Sequence, residues 1–383
     1  MSKFIPLLTF FIFTINIQAQ GNISYQESLN TAFGDRLQVN LFGQLDSLFG
    51  QISQGAISPS FIQEKNAALS TSVFLGYKEL LFSDDTAYHI QQPQVVNVYA
   101  VSGNEYSITL AYIGTKAGIT PRLRATIRLV ATITTDNRVL FSLPLNTDTR
   151  NWKITKVGNL SYHHTGELNM RRAKLFNTNN SIIAKKFGLA AESFDFYVCP
   201  EYQSILRLLG YDFLEDANGT YRDGYGVDEH TIFSVMNNED FSHDILHYYA
   251  AKIRTNPRNQ AVEEGLAYYW GNGYYTDKAG EMVNQEALVN ALKVYLQKNK
   301  DADLLALFYE NPRLFNDYAE ELSVKAVLSG VICKEIEQKK GIDGLKTLLN
   351  CGRGDAPFFQ AINTVISINE TNFNTEVRKL LLN

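Results

Sequence analysis

Cysteine is scarce, with only Cys199, Cys333 and Cys351 in 383 residues. An odd count excludes a framework in which every cysteine is paired, and a chain of this length can build a core without disulfides. A Cys333–Cys351 bridge and buried free thiols both fit the sequence. Positive charge is not in excess. Lys plus Arg number 35 against 40 for Asp plus Glu, a net charge of −5, and no basic block stands out. That balance argues against nucleic acid or a polyanionic surface as partner. A glycine-rich phosphate loop, a G-x-S-x-G elbow and a CxxC pair are all missing, which removes the sequence case for the chemistries they serve. The apolar run from Phe4 to Ile17 is shorter than the roughly 20 residues a membrane span needs. Aromatic side chains are abundant, with 21 Tyr and 23 Phe available to fill a core.

The first residues, "MSKFIPLLTFFIFTINIQAQG", combine a lysine, an apolar stretch and small residues ending at Ala19. They read as a secretory signal peptide covering 1–19. No cysteine follows to take a lipid, so a secreted or periplasmic location is expected, with no integral membrane segment after cleavage. Beyond it, Leu29, Phe33, Leu37, Leu41 and Leu45 recur every four residues, the stripe of an amphipathic helix. Stretches such as "QVVNVYAVSGNEYSITLAYIG" and "RLRATIRLVATITTDNRVLFSLPL" then alternate, separated by Ser-Gly-Asn and Asp-Asn-Arg turns. They predict an antiparallel sheet beside helices. The order resembles the nuclear-transport-factor-like cone, whose last strand carries a Trp-Lys-Ile like Trp152-Lys153-Ile154, and which implies a pocket or docking module. The composition changes near Val157–Leu160. The expected organisation is therefore an N-terminal α+β domain over 20–158 and a second domain over 159–383. The second alternates strands with helices, then becomes helical. His163 and His164 read as edge-strand residues.

"FSHDILHYYA", 241–250, places His243 and His247 four apart with Asp244 between them. On a helix such a pair shares one face, so two imidazoles can reach one ion. Two solvated surface histidines would give the same pattern. Downstream, "AVEEGLAYYW" sets Glu263 and Glu264 at the start of another helix. Alone this reads equally well as a solvated acidic first turn favoured by the helix dipole. Together the residues offer two His and one Glu, the three protein ligands a catalytic zinc takes when its fourth position stays open.

His243-Asp-Ile-Leu-His247 followed by Glu264-Gly-Leu-Ala267 resembles the gluzincin, or peptidase-MA-like, metallopeptidases, which read HExxH and then E-G-x-A. The likeness covers about 161–383. It includes the C-terminal "LSGVICKEIEQKKGIDGLKTLLN" and a last helix in which Phe373 and Val377 hold family positions, Val standing where the family has Trp. The resemblance implies a zincin-like fold, mixed sheet plus helical C-terminal half, with Zn²⁺ on His243, His247 and Glu264. It implies hydrolysis of a peptide or protein substrate by metal-activated water, Asp244 acting as base. Glu263 would stand beside the ligands, either supporting them from behind or facing solvent. A tyrosine after the Glu ligand stabilises the oxyanion in related aminopeptidases. Tyr318 lies in that region, with His230 and Tyr274 as other candidates. The departure is Asp for Glu. One methylene shorter, its oxygens lie roughly 1.5 Å further back, a misplacement that can cost on the order of 100-fold. The alternative is a catalytically inactive gluzincin-like protein that keeps zinc and binds a peptide or protein partner.

Overall fold

The structure, a computed structural model, describes residues 21–25, 35–81, 89, 90, 92–116, 118–219, 224–228, 230–235, 238–315, 318, 319 and 322–382. The leader and the stripe positions Leu29 and Phe33 lie outside them. The chain is mixed α+β, about half of it helical, and forms two compact units, 1–147 with 207–219, and 148–206 with 220–383.

In the first unit the described strands are β1 (Ser24–Tyr25), β2 (His89–Ile90), β3 (Gln94–Ser102), β4 (Glu105–Lys116), β5 (Ile119–Ile133), β6 (Val139–Ser142) and β10 (Tyr211–Leu214). They form one sheet in the order β1-β3-β4-β5-β10, with β2 on β4 and β6 on β5. All pairs are antiparallel except β1 with β3. Period-two patterning makes it: Ile108, Leu110 and Tyr112 on β4 and Ala125, Ile127 and Leu129 on β5 are fully buried. Helices α1 (Asp35–Gln54) and α2 (Ala67–Leu81) contribute Leu41, Leu45, Leu48 and Ile52, and Phe74 and Tyr77, all buried at helical spacing. Strand β10 belongs here because its approach is held from both sides. Tyr77 donates to Leu209 O (3.2 Å), and Arg128 N–H donates to Gly210 O (2.6 Å).

The chain leaves this unit through α3 (Leu145–Asp148). The second unit's sheet, among the described residues, runs β11 (Gly224–Asp228), β12 (Thr231–Val235), β9 (Phe194–Cys199), β8 (Leu160–His164), β7 (Lys153–Val157). β12, β9 and β8 are parallel, and β11 and β7 flank them antiparallel. Two stretches thus lie otherwise than a single boundary near 158 places them. Residues 207–219 belong to the first unit, their strand β10 pairing into its sheet, and Lys153-Ile154, directly after Trp152, opens β7 of the second. The first unit therefore lacks the final strand on which its likeness to the nuclear-transport-factor cone rested. His163 and His164 sit on an interior strand, not an edge. His163 stacks on Tyr197 (4.4 Å) and bonds Asp195 (2.9 Å), while buried His164 meets Thr155 Oγ1 (2.9 Å) and Gly166 O (2.8 Å).

The rest of this unit is α4 (Met170–Phe187), α5 (Tyr202–Leu208), α6 (Ser242–Ile253), α7 (Gln260–Leu266), a π turn (Ala267–Gly271), α8 (Gln285–Lys298), α9 (Leu304–Glu310), α10 (Val324–Leu349), α11 (Asp355–Ile366) and α12 (Phe373–Leu382). Helix α10 is central, burying Val327, Leu328, Ile332, Cys333 and Ile336, and it breaks at Gly341 where φ is +63°. Phe373 and Val377 are fully buried. All three cysteines are free thiols. No described helix is long and apolar enough to cross a membrane.

Candidate metal centre

Helix α6 begins where Asp240 accepts from both the N–H (3.1 Å) and the hydroxyl of Ser242. Ile245, Leu246, Tyr249 and Ala250 are buried and fix its rotation. His243 and His247 therefore emerge together, one turn apart, with ring centroids 5.0 Å from each other. Helix α7 is capped by buried Asn259, whose side chain accepts from Val262 N–H (3.2 Å). Two glycines set its approach. A Cβ on Gly265 would lie 2.8 Å from Gly330 N of α10, and one on Gly271 would lie 2.6 Å from Ser242 O and 3.0 Å from His243 N. The Gly after Glu264 is thus a packing requirement. It lets α7 lie backbone to backbone on α10, while the π turn crosses the first turn of α6.

The result is a compact cluster in which Glu264 meets each histidine with a different oxygen. His243 Nε2 and His247 Nε2 are 3.2 Å apart, Glu264 Oε2 is 3.3 Å from His243 Nε2, and Glu264 Oε1 is 3.5 Å from His247 Nε2. Ligands about 2.0–2.1 Å from a tetrahedral zinc stand about 3.3–3.4 Å from one another. The three groups can therefore hold one metal ion. The outer ring nitrogens are engaged as such a site requires. His243 Nδ1–H donates to Asn272 O (2.9 Å), and His247 Nδ1–H donates to Glu263 Oε2 (3.2 Å). Both inner Nε2 atoms then present lone pairs toward each other and toward a carboxylate, an arrangement that a cation between them relieves.

The surroundings favour positive charge at that point. Burial disfavours the His243 imidazolium, but the bond to Glu264 and the charges of Asp244 and Glu264 outweigh it and raise its pKa. Burial likewise pushes Glu264 up, but His243, His247 and Arg258 bring its carboxyl down to about 2. Glu263, 1% exposed at its side chain, is held ionised against burial by His247, Arg254 and Arg258. Arg258 bridges the two carboxylates, Nε to Glu263 Oε2 (3.1 Å) and Nη2 to Glu264 Oε1 (2.6 Å). Behind His243, Asn272 Nδ2 donates to buried Asp240 (3.2 Å), which steadies the loop whose carbonyl receives the imidazole proton.

Asp244 points its Oδ2 into a buried position without a hydrogen-bond partner. Burial raises its pKa, as does Glu264, and the two histidines partly offset this. Tyr274 and Tyr268 are the tyrosines whose rings stand beside His243, at 5.9 and 5.8 Å. Tyr268 accepts Ser323 N–H (3.2 Å), and burial pushes its phenol up to about 12. Tyr318 packs partly buried against the unit's core, its N–H bonded to Phe315 O (2.8 Å). His230 joins Glu192 (2.6 Å) and Tyr248 (3.2 Å), with Lys252 on the same carboxylate. The structure thus brings together His243, His247 and Glu264, with Asp244 between the histidines on the same helix, and sets Tyr274 beside His243.

Asn272, Asp240 and Arg258 escaped the sequence reading. The first acts through its backbone carbonyl, which no residue type signals. Arg258 could have been found, since it lies five and six residues before two carboxylates and directly precedes the cap residue of their helix. No protein-family model matches the chain, and no curated protein matches it.

Proposed function

We propose that the second unit is a gluzincin-like zinc metallopeptidase domain, which the chain carries as an exported protein acting on peptides. The observation that carries this reading is the cluster of two Nε2 atoms and one carboxylate, with separations of 3.2, 3.3 and 3.5 Å and both outer ring nitrogens already committed. When bound there, zinc supplies Lewis-acid activation of water and of a peptide carbonyl. The chain's own groups do the rest. Asn272 O and Glu263 fix the tautomers of His243 and His247. Arg258 orients the Glu264 carboxylate. Asp244, next to His243 on α6, is the carboxylate that would take a proton from the attacking water and pass it to the leaving amine. Tyr274, beside His243, is better placed than Tyr318 to donate a hydrogen bond to the oxyanion.

The Asp supports a second reading, a scaffold that holds the metal and a peptide without cleaving it. Its shorter reach and buried Oδ2 favour slow or absent hydrolysis. The full chain and its His247→Ala and Asp244→Glu variants separate the readings, each assayed for zinc content and for hydrolysis of a peptide library. A peptidase whose base is placed for Asp carries one equivalent of zinc, loses it in His247→Ala, cleaves peptides, and gains nothing from Glu. A gain of about 100-fold in Asp244→Glu identifies the native protein as a poor or silent hydrolase on a competent metal centre. Absence of zinc from the wild-type chain refutes both.

A further inference from the structure

Beside the metal centre, two loops are stitched into one cationic groove. Asn350 Oδ1 accepts from Thr255 N–H (2.6 Å) and its hydroxyl (2.9 Å), and Asn350 O accepts from Asn256 Nδ2 (2.6 Å). Asn259, 1% exposed, donates its side-chain amide to Gly352 O (2.7 Å) and Gly354 O (2.8 Å). Those glycines have φ of +93° and +101°, so Arg353 is presented on a turn pinned from both sides by the cap residue of α7. Between the loops lies a cavity of about 390 Å³ whose walls include Arg258, Lys325, Arg353 and Asp355. Lys325 and Asp355 neutralise each other at 2.7 Å. Arg353 is exposed and unpaired among the described residues, and Arg258, also in the lining, bonds Glu264.

We infer that this cavity is a carboxylate-binding subsite, which holds an acidic side chain or the C-terminal carboxylate of a peptide through Arg353, with Arg258 linking the occupant to the metal-holding Glu264. Guanidinium forks match carboxylates bidentately, and a cation held by a rigid loop loses little freedom on binding. Asn259 ties the two halves together: one side chain caps the helix that carries Glu263 and Glu264 and fixes the turn that presents Arg353. The occupant's chemistry is thus read one arginine away from the groups proposed to act on it. The inference rests on the proposed peptide-binding function, and it adds a preference for acidic peptides that the metal ligands do not specify.

The test uses the zinc-loaded full chain and four fluorescent decapeptides of one sequence, ending in a free carboxylate or a carboxamide and carrying Glu or Gln at one internal position. Binding is followed by anisotropy, and zinc content is measured on the same samples. The expected result is about ten-fold tighter binding of a carboxylate-bearing peptide over its neutral twin. Which pair shows it tells chain terminus from side chain. Arg353→Gln, an exposed position, is expected to bring that preference to near one, and Arg353→Lys to restore part of it. One equivalent of zinc together with equal binding of all four peptides, or a preference that Arg353→Gln leaves intact, overturns the inference alone. A chain that takes up no zinc overturns the metallopeptidase reading with it.

Discussion

At the scale of single residues, the His-His-Glu cluster that could hold a metal was legible because helix geometry converts spacing into position. His243 and His247 four apart must share a face. Glu264 could be chosen over Glu263 only through its resemblance to the E-G motif, and packing supplies the reason: Gly265 has to meet α10 without a side chain. Glu263 turns inward to His247 Nδ1 and two arginines, so of the two places open to it, behind the ligands or facing solvent, it takes the first and is among the most buried charges of the unit. Glu263→Gln is expected to weaken zinc binding about 10–100-fold, measured by competition with a chelator of known affinity. Binding as tight as wild type would mean that His247 needs no carboxylate behind it. The tyrosines were only partly legible: Tyr274 stood among the candidates and lies beside His243, but a chain rich in Tyr gives no local sign of which ring will face an imidazole. Tyr318 was chosen by distance along the chain, whereas Tyr268 and Tyr274 reach His243 through the π turn and the loop after it.

At the scale of elements, strand and helix types followed from period-two and period-3.6 patterning. Strand allegiance did not follow. "NWKITKV" alternates in the same way whichever sheet it joins, and only the turn at Gly158 and Asn159, which pairs it with β8, decides the matter. The interior placement of His163 and His164 was hidden for a similar reason, since their partners Asp195, Tyr197 and Thr155 come from neighbouring strands. The contact between α7 and α10 is where an element's packing governs the site most directly. A methyl group on Gly265 would meet Gly330 N at 2.8 Å and Ser329 Cβ at 2.6 Å. Gly265→Ala is expected to cost about 1–3 kcal/mol of stability and to weaken zinc binding as α7 moves off α10. Urea unfolding with and without zinc checks both. An unchanged midpoint would show that the crossing tolerates the extra carbon.

At the scale of the whole molecule, two units with separate sheets explain why one stretch of sequence, 207–219, defied a linear reading. It sits between strands of one unit and pairs with the other, and its four-residue strand has too little pattern to announce that. The three residues that could hold a metal ion all belong to the second unit. Zinc at a hundred times its Kd is expected to add about 2.7 kcal/mol to the stability of that unit, raising its melting transition by several degrees, with no shift in the transition of the first. Calorimetry with and without chelator reads this. Diffraction data from crystals of the zinc-loaded chain, collected on both sides of the zinc absorption edge, test the central claim most directly. The account predicts one anomalous peak about 2.0–2.2 Å from His243 Nε2, His247 Nε2 and a Glu264 oxygen. A map with no peak among those three atoms, or with its zinc bound elsewhere, would contradict it.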